Sequence, residues 1–519
     1  MTKISVIPTG SKDQLFSLIK SLSKAEKRNF KLYANRTGAQ KDQKFIRLFD
    51  VVDKMSTYDE EQVRIKMGRL TKGKLSNLKR HLYRQILISL RLIYKDKDNS
   101  IEIREQIDFA WILYSKGLYL QALKLLDRIR GQALENNHDL LYLEILEFQK
   151  MIEERHITRS RQVKGKVEAL MLEAAKYSNI TQNRCRLSNL KIQMHGYYIQ
   201  HGHIQKEEDV KFLDYYLKSS LQDIKTENLS FFEKVYLHQA YVWYYYILLD
   251  FKKCLRHARD WVRIFDKHLH MITLDKDLYM RGLHYTLTSA FHIKDKETFL
   301  EYLKEFEEFY SEQKKSFSPV SKALAFVYLN TARINKHYYF GTFEGGLKLV
   351  PKLLSEMRGL EHSLDVHRIM VFNYKIAYLY FGSGKPEETL DYLNQIIQLK
   401  AGHLRADIQS YSRILSILAH YQLGHYDLIP YLADQTMSFI KKIGGSHETQ
   451  TLTVKFFKSL VNIPPTERKK AFEKFKKTLL KLEKNRLEKR SFVYLDILTW
   501  VESQLQDKTM QAIIKKASA

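Results

Sequence analysis

Short breaks between helical segments recur along most of this chain, at intervals of about 40 to 48 residues. The first series of breaks lies at Gly117, Arg159, Gly202, Asp250, Asp295, Gly341, Gly384, Gly424 and Pro464. A second series alternates with it, at Asn136-Asn137, Ser178-Asn179, 226–230, 272–275, Ser318-Pro319, Ser363, Gly402 and Gly444-Gly445. Two interleaved series are what antiparallel helix pairs require, and a period in this range is typical of stacked helical repeats.

Helix-breaking residues are otherwise scarce. Seven Pro and 20 Gly occur among 519 residues, and 44% of the residues are hydrophobic. Few breakers in a long, moderately apolar chain favour helices over many short strands. We therefore expect an all-α protein.

The residues around the clearest turns also recur. Tyr114-Ser-Lys-Gly117-Leu-Tyr119-Leu-Gln-Ala122 shares its order of residue types with the segment Tyr380-Phe-Gly-Ser-Gly384-Lys-Pro386-Glu-Glu-Thr389. Gly ends one helix in a left-handed conformation, an aromatic ring packs over the turn, and a small residue lets two helices approach closely. The order predicts helix–turn–helix units.

This order of Tyr, Gly, aromatic and small residue resembles the tetratricopeptide repeat over roughly residues 101–465. The spacing is longer than the roughly 34 residues of that family, and its closing Pro is mostly absent. The resemblance implies a right-handed solenoid of about eight or nine antiparallel helix hairpins with a concave surface that binds a protein or peptide. No peptide-binding residue of the family is carried over.

The positive charge is concentrated at the two ends of the chain. Of the net charge of +27, residues 1–100 hold 23 Lys and Arg against 10 Asp and Glu, and residues 441–519 hold 18 against 8. We therefore expect three parts: a basic N-terminal helical module (1–100), the repeat solenoid (101–465) and a basic C-terminal helical cap (466–519). Capping boxes at Ser23-Lys-Ala-Glu26 and Thr57-Tyr-Asp-Glu60 predict helix starts, and helices are expected over 74–94, 466–490 and 491–516.

Rows of cations on these end helices are the candidate binding sites. They are Lys24, Lys27, Arg28 and Lys31; Arg80, Arg84, Arg91 and Lys95; and Lys470, Lys474, Lys477, Lys481 and Lys484. Such rows suit the phosphates of a nucleic acid, and the competing interpretation is the solvated face of an amphipathic helix. A helix-turn-helix over 59–94 is an alternative that would bind DNA, although its turn is longer than usual.

No motif for catalysis, a cofactor or a metal emerges. His201-Gly-His203 is expected at a turn and His268-Leu-His270 at an exposed helix end, since both lack partner ligands. Four clusters of tyrosines are expected in the core: Tyr197-Tyr198, Tyr215-Tyr216, 241–246 and Tyr338-Tyr339-Phe340. Gly382-Ser-Gly384-Lys385 departs from a phosphate-binding loop and is explained by the repeat turn. Two Cys and the lack of a long apolar run favour a cytoplasmic protein that does not insert into a membrane.

The leading hypothesis is a non-enzymatic cytoplasmic adaptor. It would bind a protein or peptide on the concave face, while its basic ends contact RNA, DNA or a ribonucleoprotein. The alternatives are a DNA-binding regulator with a peptide-sensing repeat domain and a purely structural scaffold. The sequence leaves the oligomeric state open.

Overall fold

The computed structural model describes residues 13–37, 43–160, 162, 164–360, 364–399, 405–443, 447–485 and 487–518. Within these ranges all regular secondary structure is helical and no strand occurs, which confirms the all-α prediction. The chain divides into two compact units, Met1–Thr181 and Gln182–Ala519. No helix in the described part of the chain is both long enough and apolar enough to cross a membrane.

The first unit is built from short and medium helices. They are α1 (Gln14–Ser21), α2 (Lys24–Thr37), α3 (Gln43–Asp53), α4 (Glu60–Lys66), α5 (Lys72–Tyr94), α6 (Asn99–Ser115), α7 (Tyr119–Glu135), α8 (Asp139–Arg155), α9 (Ile157–Ser160) and the first part of α10 (Lys166–His201). The core of α1–α5 includes Phe30, Phe49 and Leu82, all fully buried.

Local sequence explains two helix starts in this unit. The Ser23–Glu26 capping box forms: the Ser23 amide donates to Glu26 Oε2 at 2.7 Å, and the Glu26 amide donates to Ser23 Oγ at 3.3 Å. The second predicted box was wrong by two residues. Asp59, and not Thr57, caps α4, because its carboxylate accepts from the amides of Glu61 and Gln62.

The second unit begins with the last part of α10 and contains the remaining helices. They are α11 (Glu207–Leu221), α12 (Phe231–Ile247), α13 (Phe251–Ile264), α14 (Leu269–Leu274), α15 (Lys276–Ile293), α16 (Lys296–Gln313), α17 (Pro319–Tyr339), α18 (Phe343–Leu347), α19 (Val350–Gly359), α20 (Val366–Gly382), α21 (Pro386–Ile397), α22 (Ala406–Gln422), α23 (Ile429–Lys442), α24 (Glu448–Leu460), α25 (Pro465–Glu483), α26 (Lys489–Tyr494), α27 (Ile497–Gln506) and α28 (Met510–Ser518).

Helices in this unit pack mainly on helices near them in the chain. α12 packs on α13, α13 on α15, α15 on both α16 and α17, and α17 on α20, which in turn packs on α21 and α22. The turns between them are the predicted ones: Gly341, Gly384 and Gly424 adopt positive φ values of 57°, 73° and 74°. Asp250 and Asp295 cap α13 and α16 with their carboxylates.

Three predictions about helix bounds were wrong. The helix expected over 466–490 is α25, which ends at Glu483, and the next helix begins at Lys489. No break occurs at Ser178-Asn179, since α10 runs through it, and residues 166–195 contain no Gly or Pro to stop a helix. The single helix expected over 491–516 is three helices. Asp496 caps α27 by accepting from the amide of Thr499 at 3.1 Å, and Asp507 ends α27 in the left-handed conformation with φ 51°.

The remaining breaks had mixed outcomes. Residues 226–230 separate α11 from α12, whereas within 272–275 only Asp275 lies outside a helix, because α14 continues to Leu274. Ser318 caps α17 by accepting from the amide of Ser321, and Asn136-Asn137 separates α7 from α8. Arg159 lies in the short helix α9, within the connection between α8 and α10. Ser363, Gly402 and Gly444-Gly445 are not among the described residues.

Candidate ligand-binding cavity and basic helix faces

The second unit encloses a cavity of about 2170 Å³. Its lining comes mainly from α10, α12, α15, α17 and α20, with further residues from the C-terminal helices α26, α27 and α28. Four of these helices, α12, α15, α17 and α20, follow one another around the cavity. Between each of them and the next, the chain forms at least one helix that contributes little to the lining. The cavity is therefore built by one helix from each successive pair.

The same spacing of residues faces the cavity on four of these helices. Lining residues occur at a starting position and 3, 7 and 10 residues later, which places them on one helix face. The four sets are Tyr236, Gln239, Trp243 and Tyr246; Arg281, His284, Thr288 and Phe291; Tyr328, Thr331, Asn335 and Tyr338; and Arg368, Val371, Lys375 and Tyr378. We call these sets the inner face and number its positions one to four; position four is aromatic in all four helices.

Aromatic rings give the cavity much of its surface. Seventeen of the described lining residues are Phe, Tyr or Trp. Burial, followed by neighbouring tyrosines, raises the pKa of the Tyr246 and Tyr338 hydroxyls well above the ordinary value. These hydroxyls are therefore neutral at neutral pH. The Tyr338 hydroxyl donates to the carbonyl oxygen of Lys375, and its oxygen can still accept a hydrogen bond.

The cavity lining also has a surplus of positive charge. Ten Lys or Arg residues and five Asp or Glu residues line it among the residues that the structure describes. Lys191, Arg281 and Lys375 form no ion pair within 4.0 Å with any described carboxylate. Lys191 instead lies over the ring of Tyr236, with Nζ 4.6 Å from its centroid. The lining therefore favours a ligand with negative charge.

Lys375 is the most deeply placed of these cations. Its Nζ donates to Asn335 Oδ1 at 2.7 Å and lies 5.4 Å from the centroid of the Tyr338 ring. Burial lowers the pKa of Lys375 to about 8, so the ammonium is mostly protonated at neutral pH. An ammonium has three N–H donors, and one of them is used by Asn335. Lys375 therefore presents a charged hydrogen-bond donor to a ligand in the cavity.

Two neutral histidines lie in the same cavity. Burial, with the nearby charge of Lys375, lowers the pKa of both His284 and His292 to about 3. The His284 ring stacks on Tyr328 at a centroid distance of 4.0 Å, and the His292 ring stacks on Phe251 at 4.3 Å. Both imidazoles are therefore uncharged hydrogen-bonding groups at neutral pH.

A buried polar network supports one wall of the cavity. Arg405 donates to both carboxylate oxygens of Asp407, with its closest contact at 2.8 Å, and also contacts His367 Nε2 at 2.9 Å. Burial opposes the charge of Asp407, yet the Arg405 guanidinium holds the pKa of that carboxyl below its ordinary value. The Tyr494 hydroxyl also donates to Asp407. Paired in this way, neither charge is left without a partner inside the wall.

The row of cations on α2 is partly used in ion pairs. Lys27 Nζ lies 2.6 Å from Asp53 Oδ1 and Lys31 Nζ lies 2.7 Å from Asp50 Oδ1, both on α3. Lys24 and Arg28 are exposed. Two of the four predicted residues therefore connect α2 with α3.

The row on α5 divides in the same way. Arg80 and Arg84 are exposed. Arg91 lies 3.7 Å from Asp108 and Lys95 lies 3.2 Å from Glu105, both on α6. The second half of this row is thus directed at a neighbouring helix of the same unit.

The row on α25 is an exposed face along its whole length. Lys470, Lys474, Lys477, Lys481 and Lys484 are exposed, while Phe472, Phe475, Leu479 and Leu482 are buried on the opposite side. None of these five lysines forms an ion pair within 4.0 Å with another residue in the described part of the chain. Lys476, outside the row, pairs with Glu502.

One expectation from the sequence needs correction here. Several residues of the Tyr clusters that were assigned to the core, such as Tyr198, Tyr246 and Tyr338, line the cavity. His203 lies between α10 and α11, outside both helices as expected; it is 1% exposed, and its Nδ1 lies 2.9 Å from the carbonyl oxygen of Tyr246. The sequence analysis did not identify the cavity or Lys375, because only the packing of separate helices brings the lining residues together.

No protein-family model matches this chain, and neither does any curated protein or solved structure.

Proposed function

We propose that this chain is a non-enzymatic helical-repeat adaptor whose second unit binds an extended peptide or protein segment in the cavity. The observation that carries the proposal is the inner face, which presents the same four positions on α12, α15, α17 and α20. Repeated helix pairs that present equivalent positions to one concave surface are suited to binding a ligand that is itself a chain.

The size of the cavity supports a ligand larger than a metabolite. Pockets for single small molecules usually measure about 300–1,000 Å³, whereas this cavity measures about 2170 Å³. Gln239 and Asn335 offer amide groups, and the neutral tyrosines offer hydroxyls. These groups match the alternating donors and acceptors of a peptide backbone.

The charge of the cavity supports an acidic ligand. Lys191, Arg281 and Lys375 lack a carboxylate partner within 4.0 Å among the described residues. For Lys375, whose pKa is lowered by burial, being left without such a partner is costly. A carboxylate supplied by the ligand removes that cost. We therefore expect a segment with Asp or Glu side chains to bind more tightly than its amide counterpart.

For the architecture we propose a right-handed, tetratricopeptide-like solenoid over 101–465, with basic helical modules at 1–100 and 466–519. The inner-face positions recur after about 40 to 47 residues, which agrees with the intervals between the turns. A cytoplasmic location and binding to a protein or peptide remain part of the proposal.

The test is binding of natural segments to the full chain. Proteins and peptides that copurify from the native cell at low and high salt are identified, and the bound segment is synthesised. We expect Trp243→Ala to weaken binding of this segment by about 30-fold, the loss typical of a central aromatic contact. Tyr431→Ala is the matched control, because Tyr431 is 63% exposed and lies outside the cavity. Equal affinities for both variants would count against the cavity as the binding site.

A second candidate function rests on the exposed lysines of α25. Five cations on one face can follow the phosphates of RNA, DNA or a ribonucleoprotein, and such binding weakens as salt increases. In the alternative hypothesis of a DNA-binding regulator, α4 and α5 bind the DNA. If neither nucleic acid nor a peptide is retained, the scaffold hypothesis is preferred, with the charge serving solubility.

A further inference from the structure

Two histidines and an aspartate meet on the α12–α13 hairpin, outside the cavity lining. His238 lies on α12, and His257 and Asp260 lie one turn apart on α13. One ligand atom from each of the three side chains lies within 4.8 Å of the other two. His257 is buried, while His238 and Asp260 are half-buried, so the cluster lies beside solvent.

The distance between the two imidazoles fits two ligands of one ion. His238 Nδ1 and His257 Nδ1 are 3.1 Å apart. Two nitrogens bound to a tetrahedral Zn²⁺ at about 2.0–2.1 Å lie roughly 3.3 Å apart. An Asp260 carboxylate oxygen already lies within 4.8 Å of both nitrogens. Little rearrangement is therefore needed to complete three ligands.

The surroundings orient the His257 ring and keep both imidazoles uncharged. The His257 ring stacks on Tyr241 at 4.5 Å and on Tyr245 at 5.5 Å, which fixes the direction of its Nδ1. Burial lowers the pKa of both His238 and His257, the latter to about 4, with the His238 and Arg256 charges as further causes for His257. Metal ions bind neutral imidazole.

A hydrogen-bonded arrangement competes with the metal. Arg256 lies 3.4 Å from His257 Nε2 and donates to it, so the His257 proton is on Nδ1 and is shared with His238. Binding a metal requires this proton to move to Nε2 and Arg256 to turn away. Arg256 is exposed, so its guanidinium can move into water.

We propose that His238, His257 and Asp260 bind one divalent transition-metal ion, Zn²⁺ or Fe²⁺, with at least one position left for water. Two histidines and one carboxylate are a donor set found for both ions, whereas Mg²⁺ prefers oxygen ligands. The proposal does not depend on the peptide-binding function, because none of the three residues lines the cavity.

The chain provides a matched control for this site. His420 Nδ1 and His425 Nδ1 are also 3.1 Å apart. Within the described part of the chain, that pair has no third His, Cys, Asp or Glu ligand atom within 4.8 Å. The two pairs therefore differ in the carboxylate and share the same separation of their imidazole nitrogens.

The experiment uses the untagged full chain after treatment with a chelator. Zn²⁺, Mg²⁺ and, without oxygen, Fe²⁺ are titrated into it while the heat of binding and the unfolding temperature are measured. Co²⁺ is added separately, because its visible absorption reports the coordination of the ion. We expect one equivalent of Zn²⁺ or Fe²⁺ to bind and raise the unfolding temperature, with Zn²⁺ the tighter of the two, as at most sites with nitrogen and oxygen ligands. Asp260→Asn and His238→Gln should each weaken binding at least tenfold, whereas His420→Gln combined with His425→Gln should leave it unchanged.

Binding that survives both Asp260→Asn and His238→Gln, or that disappears in the His420/His425 variant, would overturn the proposal. So would the absence of saturable binding by either ion. Asp260→Asn preserves shape at a half-buried position, so it tests the site even where His238→Gln fails to fold.

Discussion

Lys375 and Asn335 occupy the third inner-face position on two helices that pack together, and the Lys375 ammonium donates to the Asn335 amide oxygen at 2.7 Å. No described carboxylate lies within 4.0 Å of this ammonium. The pair therefore places a cation in a desolvated cavity with a neutral partner, which is an unfavourable arrangement for a free protein. Its consequences for stability and for ligand binding can be measured.

Replacing Lys375 by Met should make the free protein more stable. The pKa of Lys375 in the folded chain is about 8, below its ordinary value, so the unfolded chain binds more protons between about pH 8 and 10. The cost of the buried charge is fully present below pH 8 and is relieved as pH rises through this range. We expect Lys375→Met to gain on the order of 2 kcal/mol in the free energy of unfolding at pH 7 and to lose this advantage near pH 10.

The measurement is urea unfolding of both proteins at pH 7, 8, 9 and 10. Lys322→Met is the control, because Lys322 is exposed on α17 and should change stability little. A Lys375→Met protein that is less stable than the wild type at pH 7 would contradict the prediction.

Binding of an acidic segment should weaken above about pH 8. The ligand carboxylate favours protonated Lys375, so affinity should fall as pH rises past the pKa of the free protein, by up to about tenfold per pH unit. His284 and His292 have pKa values of about 3 and stay neutral in this range. Isothermal titration from pH 7 to 9 measures the effect. Lys375→Arg should retain affinity at pH 9, and an equal decline in that variant would assign the pH dependence to another group.

Acid should destabilise the second unit because it contains buried neutral histidines. The pKa of His292 is lowered from 6.5 to about 3 by burial and by Lys375. The unfolded chain therefore binds more protons below pH 6.5, and stability present above that pH is lost as pH falls toward 3. Each such histidine contributes up to about 1.4 kcal/mol per pH unit in this range.

His292→Gln should reduce this acid sensitivity. The expected result is a decline in unfolding free energy between pH 6.5 and 4.5 that is smaller than in the wild type by about 1 kcal/mol per pH unit. His270→Gln is the control, since His270 is exposed. Parallel curves for the wild type and His292→Gln would show that His292 is not neutral in the folded protein.

Reversing the charge of the α25 row should affect nucleic-acid retention and leave the fold intact. Lys470, Lys474, Lys477 and Lys481 are exposed, so their combined substitution by Glu should leave far-ultraviolet circular dichroism unchanged. Retention on single-stranded RNA and DNA at 50 and 200 mM salt should fall sharply. A control variant, Lys27→Glu with Lys31→Glu, removes two cations already paired with α3 and should lose less binding. Unchanged, salt-insensitive retention in the α25 variant would exclude this row as the contact.

Gly382→Ala should be strongly destabilising. A Cβ at Gly382 would lie 2.5 Å from ring atoms of the fully buried Phe343, and overpacking of this kind costs about 1–3 kcal/mol. Gly131→Ala, in the middle of α7, meets no atom within 4 Å and should stabilise the protein by up to about 1 kcal/mol through helix propensity. Denaturant unfolding compares the two. Equal effects would show that the α18–α20 contact can relax.

Local sequence signals predicted the helices and most of their ends. Gly384 and Gly424 were recognisable as turns because a left-handed residue favours Gly, and the Ser23–Glu26 capping box was recognisable from four adjacent residues. The errors came where such signals were weak. Ser178-Asn179 is tolerated inside α10, and Asp496 begins a new helix, α27, where one continuous helix was expected over 491–516.

Local sequence signals could not reveal the cavity or the pair of His238 and His257 outside it. His238 and His257 are 19 residues apart, and Asn335 and Lys375 are 40 apart, so only the packing of different helices brings each pair together. The exposed face of α25 was the exception, because Phe472 and Phe475 indicate its buried side from spacing alone.

The sequence by itself determined the all-α class, the rhythm of turns and the charged ends, because helix caps, turn residues and charge act over a few neighbouring residues. Tertiary structure decided which side of each helix meets the cavity, which cations are neutralised by Asp50, Asp53 and Glu105, and which, like Lys375, are left for a ligand. Those outcomes depend on distances between helices, and a linear pattern does not contain them.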